Sequence, residues 1–103
     1  MMKIKWTHEA LERLFEIKDF ISQDSPARAE TFVDRIIEHA ESLSEKPLRG
    51  RTVLEISNPD IRELIFGKYR IVYRINGNNV DILTVFEGHR LLRIWEIDIG
   101  EWE

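Results

Sequence analysis

Apolar residues recur at Ala29, Phe32, Val33, Ile36, Ile37, Ala40 and Leu43, three and four positions apart in a stretch otherwise rich in charge. That spacing places them on one side of a helix and predicts an amphipathic element with one buried face. Ser25 precedes it as an N-cap, and Pro26 suits the first helical position. A shorter repeat comes before: Ala10, Leu14, Ile17 and Ile21, with Leu11 on the flank. Thr7 can cap that helix, and Glu9 falls in its first turn, where the helix dipole favours a carboxylate. Only "SQDSP" separates the two, so they are expected to fold back as an antiparallel hairpin.

Beyond "EKPLRGR", where Pro47 and Gly50 end the helical half, the period changes from helical spacing to alternation. Four strands are predicted: "TVLEI", "IRELIF", "KYRIVYRI" and "VDILTVF". "NGNN" joins the last two and is a strong hairpin signal, while "FGKY" links the middle pair tightly. Such a hairpin pairs residue 70 with a position in the mid-eighties. With "KIKW" at residues 3–6 as a short first strand, the order is β-α-α-β-β-β with a further strand at the C-terminal end. The class is therefore α+β: a two-helix hairpin packed on a mostly antiparallel sheet. Phe32, Val33, Ile36 and Ile37 are expected to pack on Ile71, Tyr73 and Ile75.

In the strand "KYRIVYRI", Tyr69, Ile71, Tyr73 and Ile75 share one face; Lys68, Arg70, Val72 and Arg74 share the other. Cations avoid cores unless paired, so the cationic face is expected to be the open one.

The chain has 103 residues, which fits one domain spanning 1–103. No apolar run approaches membrane-spanning length, and "MMKIKWTHEA" lacks the apolar segment of a signal peptide. The absence of cysteine fits a cytoplasmic location and excludes disulfides and thiolate metal sites. A net charge of −4 argues against general nucleic-acid affinity. The charge is uneven: residues 49–74 carry six Lys/Arg against three acids, whereas residues 94–103 carry four acids and no base.

His8, His39 and His89 lack metal-site spacing, and Glu12 and Glu16 fit a solvated helix face beside Arg13 and Lys18. No phosphate-loop, dinucleotide, nucleophile-elbow or zinc-helix motif occurs. What stands out is the cationic set Arg49, Arg51, Arg62, Lys68, Arg70, Arg74, His89 and Arg90. One reading is a solvated sheet face whose charges discourage strand-to-strand aggregation. The other is a concavity that grips a phosphate backbone or an acidic partner, with Arg49, Arg51, Arg62, Lys68 and Arg74 as its contacts.

The order of elements, with "SPARAETF", "PLRGR", "IRELIFGKYRIVYRI" and "VDILTVFEGHRLL", resembles the RelE/ParE superfamily of toxins from about Ile4 to Leu92. The resemblance implies the toxin half of a type II toxin–antitoxin module of the plasmid-stabilisation kind, neutralised by a cognate antitoxin. It implies no cofactor. In the RelE-like branch, ribosome-dependent endoribonucleases cut mRNA. There Arg70 and Arg90 match catalytic arginines, and His89 lies where some members place a general acid or base. In the ParE-like branch the target is DNA gyrase and there is no nuclease activity. This sequence departs from the nuclease pattern: "TVLEISNPDI" has no lysine, "KPLRGR" has no carboxylate, and no tyrosine follows Arg90. The ParE-like branch is the better match. A toxin-derived interaction protein without toxicity is the third reading.

Two further expectations concern the C-terminal part. Arg70 and Arg90 should meet at one end of the sheet with His89 nearby, and Arg70→Ala should abolish any nuclease while leaving the fold intact. In the tail, Trp95, Ile97 and Ile99 alternate with Glu96 and Asp98 as in a half-buried strand. That tail is expected to pack along the sheet edge or across to a second copy, as a homodimer.

Overall fold

Thr7 closes the first strand and opens the first helix in one step. Its hydroxyl accepts the Ala10 amide and donates to the carbonyl of Ile82, tying the helix start to the sheet. The computed structural model describes residues 1–88. Its elements are β1 (Lys3–Trp6), α1 (His8–Ser22), α2 (Pro26–Glu41), a 3-10 turn (Ser42–Ser44), β2 (Arg51–Thr52), β3 (Ile61–Phe66), β4 (Tyr69–Asn76) and β5 (Asn79–Glu87). Ser25 caps α2 through the Arg28 amide, and Pro26 takes the first helical position. The sheet runs β1-β5-β4-β3-β2, with β1 parallel to β5 and every other pair antiparallel. Among the described residues no helix is long and apolar enough to cross a membrane.

Both hairpins turn on glycine. Gly67 and Gly77 each take a positive φ at the first of two central residues, and the residues after them do not. That is the type II′ pattern, in which only the first central residue needs the left-handed region. Arg70 pairs with Phe86, as the hairpin register requires. Leu83 is an extra residue on β5, because Val72 faces Thr84 while Tyr73 faces Ile82. This bulge lets Ile82 and Val85, three apart, share one face of the sheet.

On that face Ile36, Ala40 and Leu43 meet Ile71, Tyr73 and Val85, with Phe32, Val33 and Ile75 packed around them. Ile37 and Leu11 are exposed; they stand at the margins of their helical stripes rather than at the centre.

The opposite face was expected to be open, and it is not. Val53, Ile56, Ile61, Val72 and Leu83 form a second apolar cluster there. The cover comes from "TVLEI", which is a strand only at Thr52. After Thr52 the chain turns, with the Ile56 amide donating to the Val53 carbonyl, so residues three apart, not two, face the sheet. The apolar patch left by Val72 and Ile61 needs a lid, and this turn supplies it. The expected contact of Arg70 with His89 and Arg90 lies outside the described residues, as do the C-terminal tail and its extra strand.

Candidate functional site

Arg70 is the second residue of β4, on the face of the second cluster, and only 6% of it is exposed. A guanidinium so buried needs counter-charge, and two carboxylates provide it. Its Nε donates to Glu63 on β3. Its Nη1 and Nη2 donate to the two oxygens of Glu55, each at 3.1 Å, in a two-pronged fork. Its central carbon, Cζ, lies over the ring of Phe86, 5.1 Å from the centroid. Burial would lower the pKa of Arg70, but its hydrogen bonds to Glu55 and Glu63 outweigh burial and hold it above its ordinary value. Glu63 is 2% exposed and also accepts from Arg51 Nε at 2.8 Å.

A groove of about 780 Å³ opens over this network, bordered by Arg51, Leu54, Ile65, Lys68 and Gly88. Thus Arg51, Lys68 and Arg70 come together, Lys68 with its ammonium 5.7 Å from the Tyr69 ring centroid. The other cations of the set are placed elsewhere. Arg62 faces Tyr73 across the strand pair, on the helix side, and donates to the Gly50 carbonyl at 2.8 Å. Arg49 donates to the Ser42 hydroxyl. Arg74 shares the face of Arg70 four residues further along β4, opposite Ile61 and Asp81. His89 and Arg90 lie outside the described residues. Among those described, no three His, Cys, Asp or Glu side chains are grouped to hold a metal ion.

The sequence reading missed Glu55 and Glu63 as partners. A signal existed for Glu63: in "IRELIF" it shares the parity of Ile61 and Ile65, a charge on an apolar face. Nothing comparable marked Glu55, because its position depends on the turn after Thr52.

A second polar knot fixes where β2 begins. Tyr73 is fully buried, and its hydroxyl donates to the Pro47 carbonyl at 2.7 Å while accepting the Gly50 amide at 2.9 Å. A Cβ at Gly50 would lie 2.6 Å from both the Glu63 carbonyl and the Tyr73 hydroxyl. Gly50→Ala is therefore expected to cost about 2 kcal/mol, read from urea unfolding, since backbone rather than a flexible side chain blocks the space. Tyr73→Phe strands two buried polar groups and should cost about 1–3 kcal/mol. Burial pushes the Tyr73 phenol above its ordinary value. The unfolded chain therefore ionises first, near pH 10, and the contribution from neutral Tyr73 is full below that pH and lost as pH rises through the folded pKa. Tyr73→Phe should lack that alkaline loss, which a melting series above pH 9 measures.

Residues 4–92 match the family described as the ParE toxin of the type II toxin–antitoxin system parDE. The toxin Y4kP of Sinorhizobium fredii is 40% identical over 90 residues, covering 85% of this chain and 90% of its own. Toxin RelE2 of Caulobacter vibrioides is 35% identical over 92 residues, covering 88% of this chain and 100% of its own. Among solved structures, the chromosomal ParDE system from P. aeruginosa aligns with a TM-score of 0.70 at 26% identity, over 84% of this chain and 96% of that one. The RelBE2 toxin–antitoxin complex from Mycobacterium tuberculosis gives 0.59 at 25% identity, with the same coverage.

Proposed function

The chain belongs to the ParE toxin family of type II toxin–antitoxin systems, and from that membership we propose that it arrests growth by inhibiting DNA gyrase and is held inactive by a cognate antitoxin. An antitoxin partner is supported by the two solved relatives, which are a ParDE system and a RelBE2 complex. The site of action is the cytoplasm, where gyrase works.

The observation that carries the choice of gyrase over mRNA is the state of Arg70. A nuclease needs its guanidinium aimed at charge that develops on the scissile phosphate. Here the Nε edge is held by Glu63 and the terminal fork by Glu55. A phosphate would have to displace a carboxylate, so the group is neutralised before any substrate arrives. The rival reading, a ribosome-dependent endoribonuclease using Arg70, His89 and Arg90, draws on the 35% identity to a protein named RelE2.

Arg70→Ala, the obvious test from sequence, is a poor one. It would leave Glu55 and Glu63 facing each other with their shared cation gone, so a loss of toxicity could be a loss of fold. Replacing all three members of the network is cleaner, because it leaves no buried carboxylate without its cation. Glu55→Gln/Glu63→Gln/Arg70→Gln is expected to stay folded and to arrest growth fully when expressed without antitoxin. A folded triple variant that has lost toxicity would favour the nuclease.

A further inference from the structure

The groove over the Arg70 network has borders that the network does not use. Arg70, Glu55 and Glu63 bond to one another at its floor, where Glu63 is almost wholly buried and the Glu55 side chain is 24% exposed. At the borders, Leu54 is 91% exposed and Ile65 50%, two branched apolar side chains set in water on one groove. Arg51 and Lys68 stand on the same lining, with 65% of the Arg51 side chain exposed. Of the charged residues in that lining, three are cations and two are carboxylates, which leaves a surplus of one positive charge. Gly88, the last described residue, also borders the groove, and its amide donates to the Lys68 carbonyl. The described chain therefore leaves β5 at the groove's edge.

We propose that this groove is occupied by the chain's own C-terminal segment, residues 94–103, with its apolar side chains on Leu54 and Ile65 and its acids at Arg51 and Lys68. Reach, pattern and charge carry this. From β5 to β3 is two strand spacings, about 10 Å, and residues 89–93 span about 17 Å when extended. Residues from Ile94 onward can therefore reach Ile65 with the described fold unchanged. Trp95, Ile97 and Ile99 alternate with Glu96 and Asp98, so an extended segment offers one apolar face and one acidic face. The apolar face takes Leu54 and Ile65 out of water. The long side chains of Arg51 and Lys68 can lie along the segment and bring their charges to the carboxylates on its other face. Residues 94–103 carry four acids and no base, which complements the surplus cation of the groove. The family match ends at residue 92, so the segment lies beyond the part that the family shares.

The test needs neither gyrase nor antitoxin, so it stands apart from the proposed function. The chain has no cysteine, so introduced pairs report alone. In the full chain, Leu54→Cys is combined in turn with Trp95→Cys, Ile97→Cys and Ile99→Cys. Each is compared with the same tail position paired with Phe20→Cys, a residue 68% exposed on α1, which packs on the opposite face of the sheet. With oxidised glutathione, at least one Leu54 pair is expected to close within a single chain at least about tenfold faster than its Phe20 counterpart. Adding Lys68→Glu should slow that closure at least about threefold. Leu54 is too exposed for its loss to unfold the domain, and Ile65→Cys is a second anchor expected to give the same ranking. Equal rates for the Leu54 and Phe20 pairs overturn the proposal. So does a Leu54 disulfide that forms only between chains, which assigns the groove to a second copy, or a closure indifferent to Lys68→Glu.

Discussion

Ile36→Asp is expected to leave the chain largely unfolded at 25 °C. Ile36 has no exposed surface and lies where α2 meets the sheet, in one cluster with Ile71, Tyr73 and Val85. The substitution removes a branched apolar side chain and places a carboxylate inside a cluster of buried apolar side chains. Loss of the apolar contact alone costs about 2–5 kcal/mol, and an unpaired buried charge adds several more. A domain of this size has a total stability of about 5–15 kcal/mol. The cost therefore takes most or all of it. Far-ultraviolet circular dichroism and a thermal melt read the outcome directly. A variant that melts like the parent would mean that α2 does not pack on β4.

Glu63→Ala should be the second most damaging change, at about 3–5 kcal/mol by urea unfolding. The cost is concentrated in one pair. Arg51 is 65% exposed in its side chain, so its bond to Glu63 contributes little by itself. Arg70 cannot reach water without breaking its packing on Phe86, and among the described residues it would keep Glu55 alone as a counter-charge. Glu63→Gln retains an acceptor for Nε and should lose less. Glu55→Gln, at the more exposed end, should lose least of the three. Equal costs for Glu55 and Glu63 would contradict the inner-and-outer description of this network.

The helical half was legible because local signals agree with the tertiary structure. Thr7 and Ser25 cap, Pro26 starts, and the stripe from Ala29 to Leu43 faces the sheet it was patterned for. The hairpin from β4 to β5 was legible for the same reason, since turn chemistry fixes register. The segment after Thr52 was not. Alternation in "TVLEI" reads as a strand, but its conformation is decided by an apolar patch assembled from β3, β4 and β5. The parallel pairing of β1 with β5 joins residues more than seventy positions apart, and no local pattern announces it. Parity placed Arg70 correctly on the face away from the helices, yet it could not reveal that Glu63 and Glu55, seven and fifteen residues away, neutralise it. Arg62 went astray for a simpler reason: the register of β3 against β4 sets it opposite Tyr73.

The most direct test of gyrase as the target is a supercoiling reaction with purified gyrase and relaxed plasmid, titrated with this protein. Supercoiling is expected to fall as protein is added and to recover when the cognate antitoxin is supplied. Undiminished supercoiling at a concentration of protein that cuts mRNA in a translating extract would contradict it and assign the toxin to the nuclease branch.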